Sequence, residues 1–245
     1  MEEYNYKNIT ANKDRIKKMF DTPELRAYEK KRSKNNKIKE WTYKIFSLGM
    51  SGKTTKTLIY LNIFVFVLEL LFKVGMSMFI GFPISSPLFM FWQPFTSMFL
   101  HGGWIHLIVN MVALWSIAKP LEEMWGNKKL LIFYLLCGLF SGLLCALIFP
   151  LPVVGASGAI CGLLSAFAWL NPNTKILLFF VIPAKTKPAV IWFGVISLIL
   201  GIASLINPVF GFGIAHFGHL GGLLAGVGLM YFWKKRYLTT SSSVF

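Results

Sequence analysis

Residues 155–170 read GASGAICGLLSAFAWL, and this stretch decides the fold. From Ser157 onward it offers 14 mostly apolar residues before a turn begins at Asn171, which is about 21 Å of α-helix. The hydrocarbon core of a membrane is about 30 Å thick, so a helix that ends at one face would begin about 9 Å below the other. Irregular backbone at that depth is tolerated only inside protein or beside a water-filled cavity. We therefore expect other helices to surround this short one.

The rest of the chain has the composition of a membrane protein. It is 55% hydrophobic and only 14% charged, whereas soluble domains carry about 25% charged residues. Residues 1–56 hold 15 of the 25 Lys and Arg and 7 of the 10 Asp and Glu. The sequence thus predicts a basic cytoplasmic tail (1–56), a membrane domain (57–236) and a short cytoplasmic C-terminal tail (237–245). The net charge of +15 then reflects topology and not nucleic-acid binding.

The apolar runs predict an all-α, polytopic membrane protein, a bundle of six transmembrane helices. A spanning helix needs about 20 apolar residues. The basic residues lie in alternate connections, and such an excess is typical of the cytoplasmic side. We therefore predict a multi-pass protein of the cell membrane with both termini in the cytoplasm. The short stretch 175–183 is interpreted as an interfacial segment or as a frayed extension of the fourth helix. The runs are 57–76, 101–118, 130–149, 157–170, 188–206 and 213–233.

Polar side chains inside these spans converge on one depth. Such groups are costly in a membrane and by default indicate function. At a helix rise of 1.5 Å per residue, His106, Ser157 and His219 lie about 20, 21 and 22 Å from the inner ends of their predicted spans. Asn110 lies one turn below His106 on the same helix face. Chemically active side chains from three helices are therefore expected to meet below the outer surface.

The residue types at this depth favour nucleophilic catalysis. Ser157 would begin a helix, where exposed N–H groups favour developing negative charge. A serine nucleophile needs a base, and His219 is the best candidate. Gly155 and Gly158 would let a substrate backbone approach closely. Glycine pairs allow the close helix packing that would join the two helices. These pairs are Gly158 with Gly162 and Gly222 with Gly226.

The scarcity of acids favours a Ser–His dyad over a triad. No Asp follows residue 56. Glu122 and Glu123 are expected on the cytoplasmic side, and Glu69 near the outer end of the first span. A metal site is the main rival, built from the histidines His101, His106, His216 and His219. His101 and His106 are five residues apart and no carboxylate joins them, so the pattern does not fit a zinc helix face. We expect neither a metal nor a cofactor, and we expect His101 to cap or brace its loop.

The ordered set of motifs resembles the rhomboid family of intramembrane serine proteases, across roughly residues 57–233. The resemblance implies that Ser157 is the nucleophile and His219 the general base. It also implies an oxyanion hole made by His106, Asn110 and the backbone N–H of Ser157. The matching motifs are Trp92-Gln93-Pro94-Phe95-Thr96, His101-x₄-His106-x₃-Asn110, Glu122 four residues before Gly126, Gly155-Ala156-Ser157-Gly158, and Ala215-His216-x₂-His219-x₂-Gly222-x₃-Gly226.

The resemblance further implies partners and moving parts. The family cleaves transmembrane helices of other proteins near one membrane face, within the lipid bilayer and without a cofactor. The loop 77–100 resembles the family's amphipathic outer loop. The fifth span, with Trp192 and Phe193, resembles the mobile side through which substrate enters.

Two residues depart from the family pattern. Gln93 stands where an Arg is common, and Cys161 stands where an aromatic residue often packs on the base. Two other functions compete with proteolysis. One is a catalytically silent rhomboid-like protein that binds or escorts membrane clients. The other is a small transporter, which the lack of an internal sequence repeat disfavours.

Overall fold

The computed structural model describes residues 52–72, 78–178 and 182–241, with side chains up to Trp233 in the last helix. Nearly all of the predicted N-terminal tail (1–56) and the end of the C-terminal tail lie outside these residues. The described residues form six helices longer than 13 residues, with a short helical turn at Gln93–Thr96. The long helices are α1 (Lys53–Leu71), α2 (Trp104–Trp125), α3 (Asn127–Ile148), α4 (Ser157–Leu170), α5 (Thr186–Ile206) and α6 (His216–Ser241).

The helices form a multi-pass membrane bundle, which confirms the predicted fold class. Helices α1, α2, α3 and α5 are long and apolar enough to cross a membrane, and α4 is apolar but only 14 residues long. Their outward faces carry large exposed apolar side chains, such as Ile105 (80% exposed) and Ile206 (81%). Contiguous apolar surface of this kind fits lipid and not water. The predicted number of six crossings stays a prediction.

The short helix α4 lies inside the bundle. Ten of its 14 residues are buried, and it packs against α2, α3, α5 and α6. The expectation that other helices surround it is therefore confirmed. A Cβ added at Gly222 would collide with the backbone of Gly158, and one at Gly226 would collide with the backbone of Gly162. The glycine pairs thus bring α4 and α6 closer than any larger side chain would allow.

Helix α2 is longer than the predicted span 101–118. It continues through Pro120 and ends at Trp125. The sequence prediction stopped at the first charged residue, but Lys119 and Glu122 are only 2% and 4% exposed. Glu122 accepts hydrogen bonds from Thr54 N (2.7 Å), Thr55 N (2.9 Å) and Thr55 Oγ1 (2.6 Å). Its carboxylate therefore binds the N-terminal end of α1, where negative charge is favoured.

We expect Glu122→Ala to lower the free energy of unfolding by about 2–3 kcal/mol. The reason is that three partly or fully buried donors of α1 lose a charged acceptor at once. Thermal unfolding of the purified protein in detergent measures the change. The matched control is Glu123→Ala, because Glu123 is the exposed neighbour on the same helix. Equal melting temperatures for the two variants would show that the carboxylate does not stabilise this end of α1.

The stretch 175–183 is not an extension of the fourth helix, and that alternative was wrong. The structure has an antiparallel hairpin of β1 (Lys175–Leu178) and β2 (Ile182–Lys185), with Lys175 opposite Lys185. Pro183 would break a helix interior because it lacks an N–H group. The base of the hairpin is closed by Thr186, whose backbone N and Oγ1 both donate to Thr174 O, at 2.8 and 2.6 Å. The hairpin leads directly into α5.

Candidate active site

Ser157 and His219 meet between α4 and α6. Ser157 is the first residue of α4, and its Oγ lies 2.9 Å from Nε2 of His219 in the first turns of α6. Ser141 of α3 reinforces this junction, because its hydroxyl donates to Gly218 O at 2.8 Å. A Cβ on Gly158 would collide with that Ser141 side chain. Small residues and one interhelical hydrogen bond therefore set the spacing of the pair.

The loop before Ser157 is held by the segment that precedes α2. Gly81 and Val153 exchange two backbone hydrogen bonds, at 3.0 and 2.9 Å, and Gly155 N donates to Ser97 O at 2.9 Å. Gly155 has a φ of +129°, a backbone conformation that residues other than glycine rarely adopt. The irregular backbone before Ser157 thus forms hydrogen bonds with another protein segment. Irregular backbone within a membrane needs such partners.

His219 has no acidic partner among the described residues. Its Nδ1 is buried and finds no hydrogen-bond partner there. An imidazole that accepts a hydrogen bond from Ser157 at Nε2 carries its own proton on Nδ1. Two rings border it: Phe193 of α5, with centroids 5.5 Å apart and planes at 33°, and His216 at 6.3 Å and 88°. Within residues 52–72, 78–178 and 182–233, Ser157 and His219 thus form a hydrogen-bonded pair with no carboxylate bonded to the imidazole.

His216 is tied to the loop before α6. Its Nε2 lies 3.1 Å from Gly211 O and therefore donates to that carbonyl. The ring is 5% exposed. This histidine braces the start of α6 beside the base.

His106 approaches Ser157 from the other side of the loop. A Cβ on Gly155 would lie 2.8 and 2.9 Å from His106 Cε1 and Nε2, so only glycine lets the ring come this close. His106 Nδ1 accepts a hydrogen bond from Gly102 N at 3.3 Å. A neutral imidazole that accepts at Nδ1 carries its proton at Nε2. Beside Ser157, His106 therefore presents a hydrogen-bond donor.

Asn110 lies one turn further along α2 and is 4% exposed. Its Nδ2 donates to His106 O at 2.8 Å within the same helix. A side-chain amide has two N–H donors, so one remains for another acceptor.

His101 lies just before α2 and supports His106. Its backbone N donates to Glu69 Oε2 at 3.0 Å, which ties the loop to α1. Its ring packs edge-on against His106, with centroids 5.2 Å apart. The four histidines thus form two ring pairs, His101 with His106 and His216 with His219. No group of three or more His, Cys, Asp or Glu side chains could share a metal ion within the described ranges.

Gln93, one of the two departures from the family pattern, braces the outer loop with a neutral side chain. It is 1% exposed. Its Oε1 accepts from Met90 N (3.0 Å) and Phe82 N (3.4 Å), and its Nε2 donates to Leu88 O (3.0 Å) and Met78 O (3.3 Å). One side chain therefore satisfies four backbone groups of the segment 78–90.

The sequence reasoning missed Ser141, and it related Phe193 to substrate entry and not to His219. Ser141 had a usable signal, since it is a polar residue inside an apolar span. No sequence signal predicted the contact of Phe193 with His219. An aromatic residue in an apolar span is usual, and helix packing decides what its ring contacts. Cys161, where the resemblance led us to look for a ring, is buried in α4.

A small cavity lies beside Ser157. Its volume is about 20 Å³, which is room for roughly one water molecule. Ser97 and Ser141 contribute to its lining together with several glycine and alanine residues. Ser157 therefore has a small, partly polar hollow next to it.

Comparison with known proteins agrees with this architecture. The Rhomboid domain family model matches residues 88–236. Rhomboid protease GluP of Bacillus subtilis is 34% identical over 138 residues, which are 55% of this chain and 24% of that protein. Rhomboid-like protease 3 of Toxoplasma gondii is 32% identical over 154 residues, 60% of this chain and 53% of that protein.

A third relative matches over a longer stretch. Rhomboid protease GlpG of Pectobacterium atrosepticum is 25% identical over 184 residues, 75% of this chain and 63% of that protein. The chain thus spans less than two thirds of the length of each of these relatives. The family model covers more than half of the chain, and its matched region holds Ser157, His219 and the donors around them. The chain therefore belongs to the rhomboid family.

Proposed function

We propose that this protein is an intramembrane serine endopeptidase that cleaves transmembrane segments of other proteins near the outer membrane face. The observation that carries the proposal is the 2.9 Å contact between Ser157 Oγ and His219 Nε2 at the buried start of α4. The relatives named as rhomboid proteases support the same activity. A lipid-surrounded bundle with an internal nucleophile fits a substrate that is itself a membrane helix.

The reaction begins when His219 Nε2 takes the proton of Ser157 Oγ as that oxygen attacks the scissile carbonyl carbon. A tetrahedral intermediate forms with negative charge on the former carbonyl oxygen. The backbone N–H of Ser157, the Nε2–H of His106 and an N–H of Asn110 stabilise this oxyanion. The imidazolium then gives its proton to the leaving amine, the C–N bond breaks, and an acyl-enzyme remains.

Water completes the cycle. His219 takes a proton from a water molecule, whose oxygen attacks the acyl carbon and forms a second oxyanion. The proton returns to Ser157 Oγ as the ester bond breaks, and the carboxylate product leaves. The polar hollow beside Ser157 provides room for such a water molecule. Neither a cofactor nor a metal takes part.

The location of the site follows from the charges of the connections. The basic connections alternate with connections that lack Lys and Arg, and this supports a cell-membrane protein with both termini in the cytoplasm. Ser157 then lies about 9 Å below the outer face. Cleavage near that face follows from this depth.

A cleavage assay tests the proposal. The protein is reconstituted in liposomes with a model transmembrane substrate that carries a tag at each end, with and without a chelator. We expect two tagged fragments at equal rates in both conditions. Stable binding of intact substrate without fragments would contradict the proposal and favour the client-binding alternative. Cleavage lost in the chelator alone would favour the metal alternative.

The oxyanion donors give a separate prediction. We expect His106→Ala and Asn110→Ala each to reduce kcat by about 10²–10³-fold with little change in KM, because the donors act mainly on the charge of the transition state. Kinetics in the same liposomes measure both constants. The control is Val109→Ala, an exposed position on the lipid side of the same helix. Equal kcat for the His106 variant and this control would remove His106 from the oxyanion hole.

A further inference from the structure

The imidazole of His219 is held on one face by a residue from α5. The ring of Phe193 lies 5.5 Å from it, centroid to centroid, with the planes at 33°. The ring of His216 borders it edge-on at 6.3 Å. Nε2 contacts Ser157 Oγ, while Nδ1 has no hydrogen-bond partner among the described residues. Without a carboxylate at Nδ1, stacking is the main restraint on the orientation of the ring plane.

The position of α4 one turn after Ser157 carries no aromatic ring. Cys161 lies four residues after Ser157, on the same face of α4 and one turn further in. Its side chain is small and buried. The aromatic support of the base therefore comes from α5, a different helix from the one that carries the nucleophile.

Helix α5 lies at the edge of the bundle. Its buried residues are only Thr186, Ser197, Gly201 and Ser204. It packs on α4 and α6, and glycine residues let it approach α6 closely. A Cβ at Gly201 would lie 3.2 Å from the Phe217 ring, and one at Gly194 would lie 3.4 Å from Leu223. Contact between apolar helices in lipid is driven mainly by dispersion and lipid entropy, so this close fit between α5 and α6 sets where Phe193 lies relative to His219.

We propose that Phe193 is a positioning residue that couples the orientation of the His219 base to the packing of α5 against α6. This inference rests on the proposed function of the Ser157–His219 pair. When α5 is packed against α6, the Phe193 ring keeps Nε2 of His219 directed at Ser157 Oγ. When α5 moves away, the imidazole is free to rotate about its side-chain bonds and the base loses its alignment. Proteolysis thus requires α5 to be packed against α6 when Ser157 Oγ attacks the scissile carbonyl.

The test compares Phe193→Leu and Phe193→Tyr with the wild type, each reconstituted in liposomes. The leucine variant keeps an apolar side chain but loses the ring, and the tyrosine variant keeps the ring. We expect Phe193→Leu to lower kcat about 10-fold or more with little change in KM, because small misplacements of a catalytic group have effects of this size. Phe193→Tyr should restore most of the rate. Ile199→Ala is the control, since it removes three carbon atoms from a lipid-facing position of α5.

A spectroscopic readout separates positioning from folding. The chain contains only four histidines, so the imidazole proton shifts of His219 are assignable by comparison with His219→Ala. We expect a ring-current shift in the wild type and in Phe193→Tyr that disappears in Phe193→Leu. An unchanged kcat, or an unchanged His219 shift in Phe193→Leu, would overturn the inference while wild-type cleavage still supports the proposed function. A wild type that does not cleave would instead remove the proposed function.

Discussion

Replacing Ser157 with alanine is expected to reduce substrate cleavage by about 10⁴–10⁶-fold. The variant loses the only atom that can form the acyl-enzyme at this position, while the oxyanion donors remain in place. The same variant should lose covalent labelling by a fluorophosphonate, which reacts with activated serine hydroxyls. Initial cleavage rates in liposomes and the extent of labelling measure the two effects.

The control for this substitution is Ser116→Ala. Ser116 lies on α2, and its hydroxyl donates at 2.8 Å to Val112 O within the same helix. Both variants remove one hydroxyl, so a folding effect of that loss would appear in both. Labelling that persists in Ser157→Ala would show that another residue is the nucleophile. Cleavage that persists at the wild-type rate would rule out Ser157 altogether.

Gly222→Ala is expected to lower both the stability and the activity of the protein. The new Cβ would collide with the backbone O of Gly158 and lie 2.7 Å from its carbonyl carbon. Backbone atoms have no rotamer to change, so α4 and α6 must move apart. We expect a loss of about 3 kcal/mol in the free energy of unfolding. Since Ser157 and His219 lie on these two helices, activity should fall by about 10²-fold or more.

The same substitution at Gly228 provides a matched control. Gly228 lies on α6 as well, and a Cβ there meets nothing within 4 Å. Alanine favours helix over glycine by about 1 kcal/mol, so Gly228→Ala should be neutral or slightly stabilising and fully active. Thermal unfolding and cleavage assays compare the two. If both variants behaved alike, the close packing of Gly222 on Gly158 would have no energetic role.

The sequence by itself determined the membrane bundle and its approximate spans. A backbone inside lipid must satisfy its own hydrogen bonds, so long apolar runs are restricted to helices. The predictions failed where polar residues find partners in other segments. Helix α2 runs past Lys119 and Pro120 to Trp125 because Glu122 is buried against the start of α1. The hairpin of β1 and β2 was missed because strand pairing depends on a second segment.

The sequence also determined which residues reach the depth of the site, because helix rise is fixed and depth follows from counting residues. Only the tertiary structure decided which sides of the helices face one another, since that depends on side-chain packing between segments distant in the chain. Packing decided that Phe193 of α5 covers His219, and that Ser141 bonds to Gly218. It also gave Gln93 its four backbone partners. Depth is a local property of each helix, whereas its rotation and its neighbours are properties of the whole bundle.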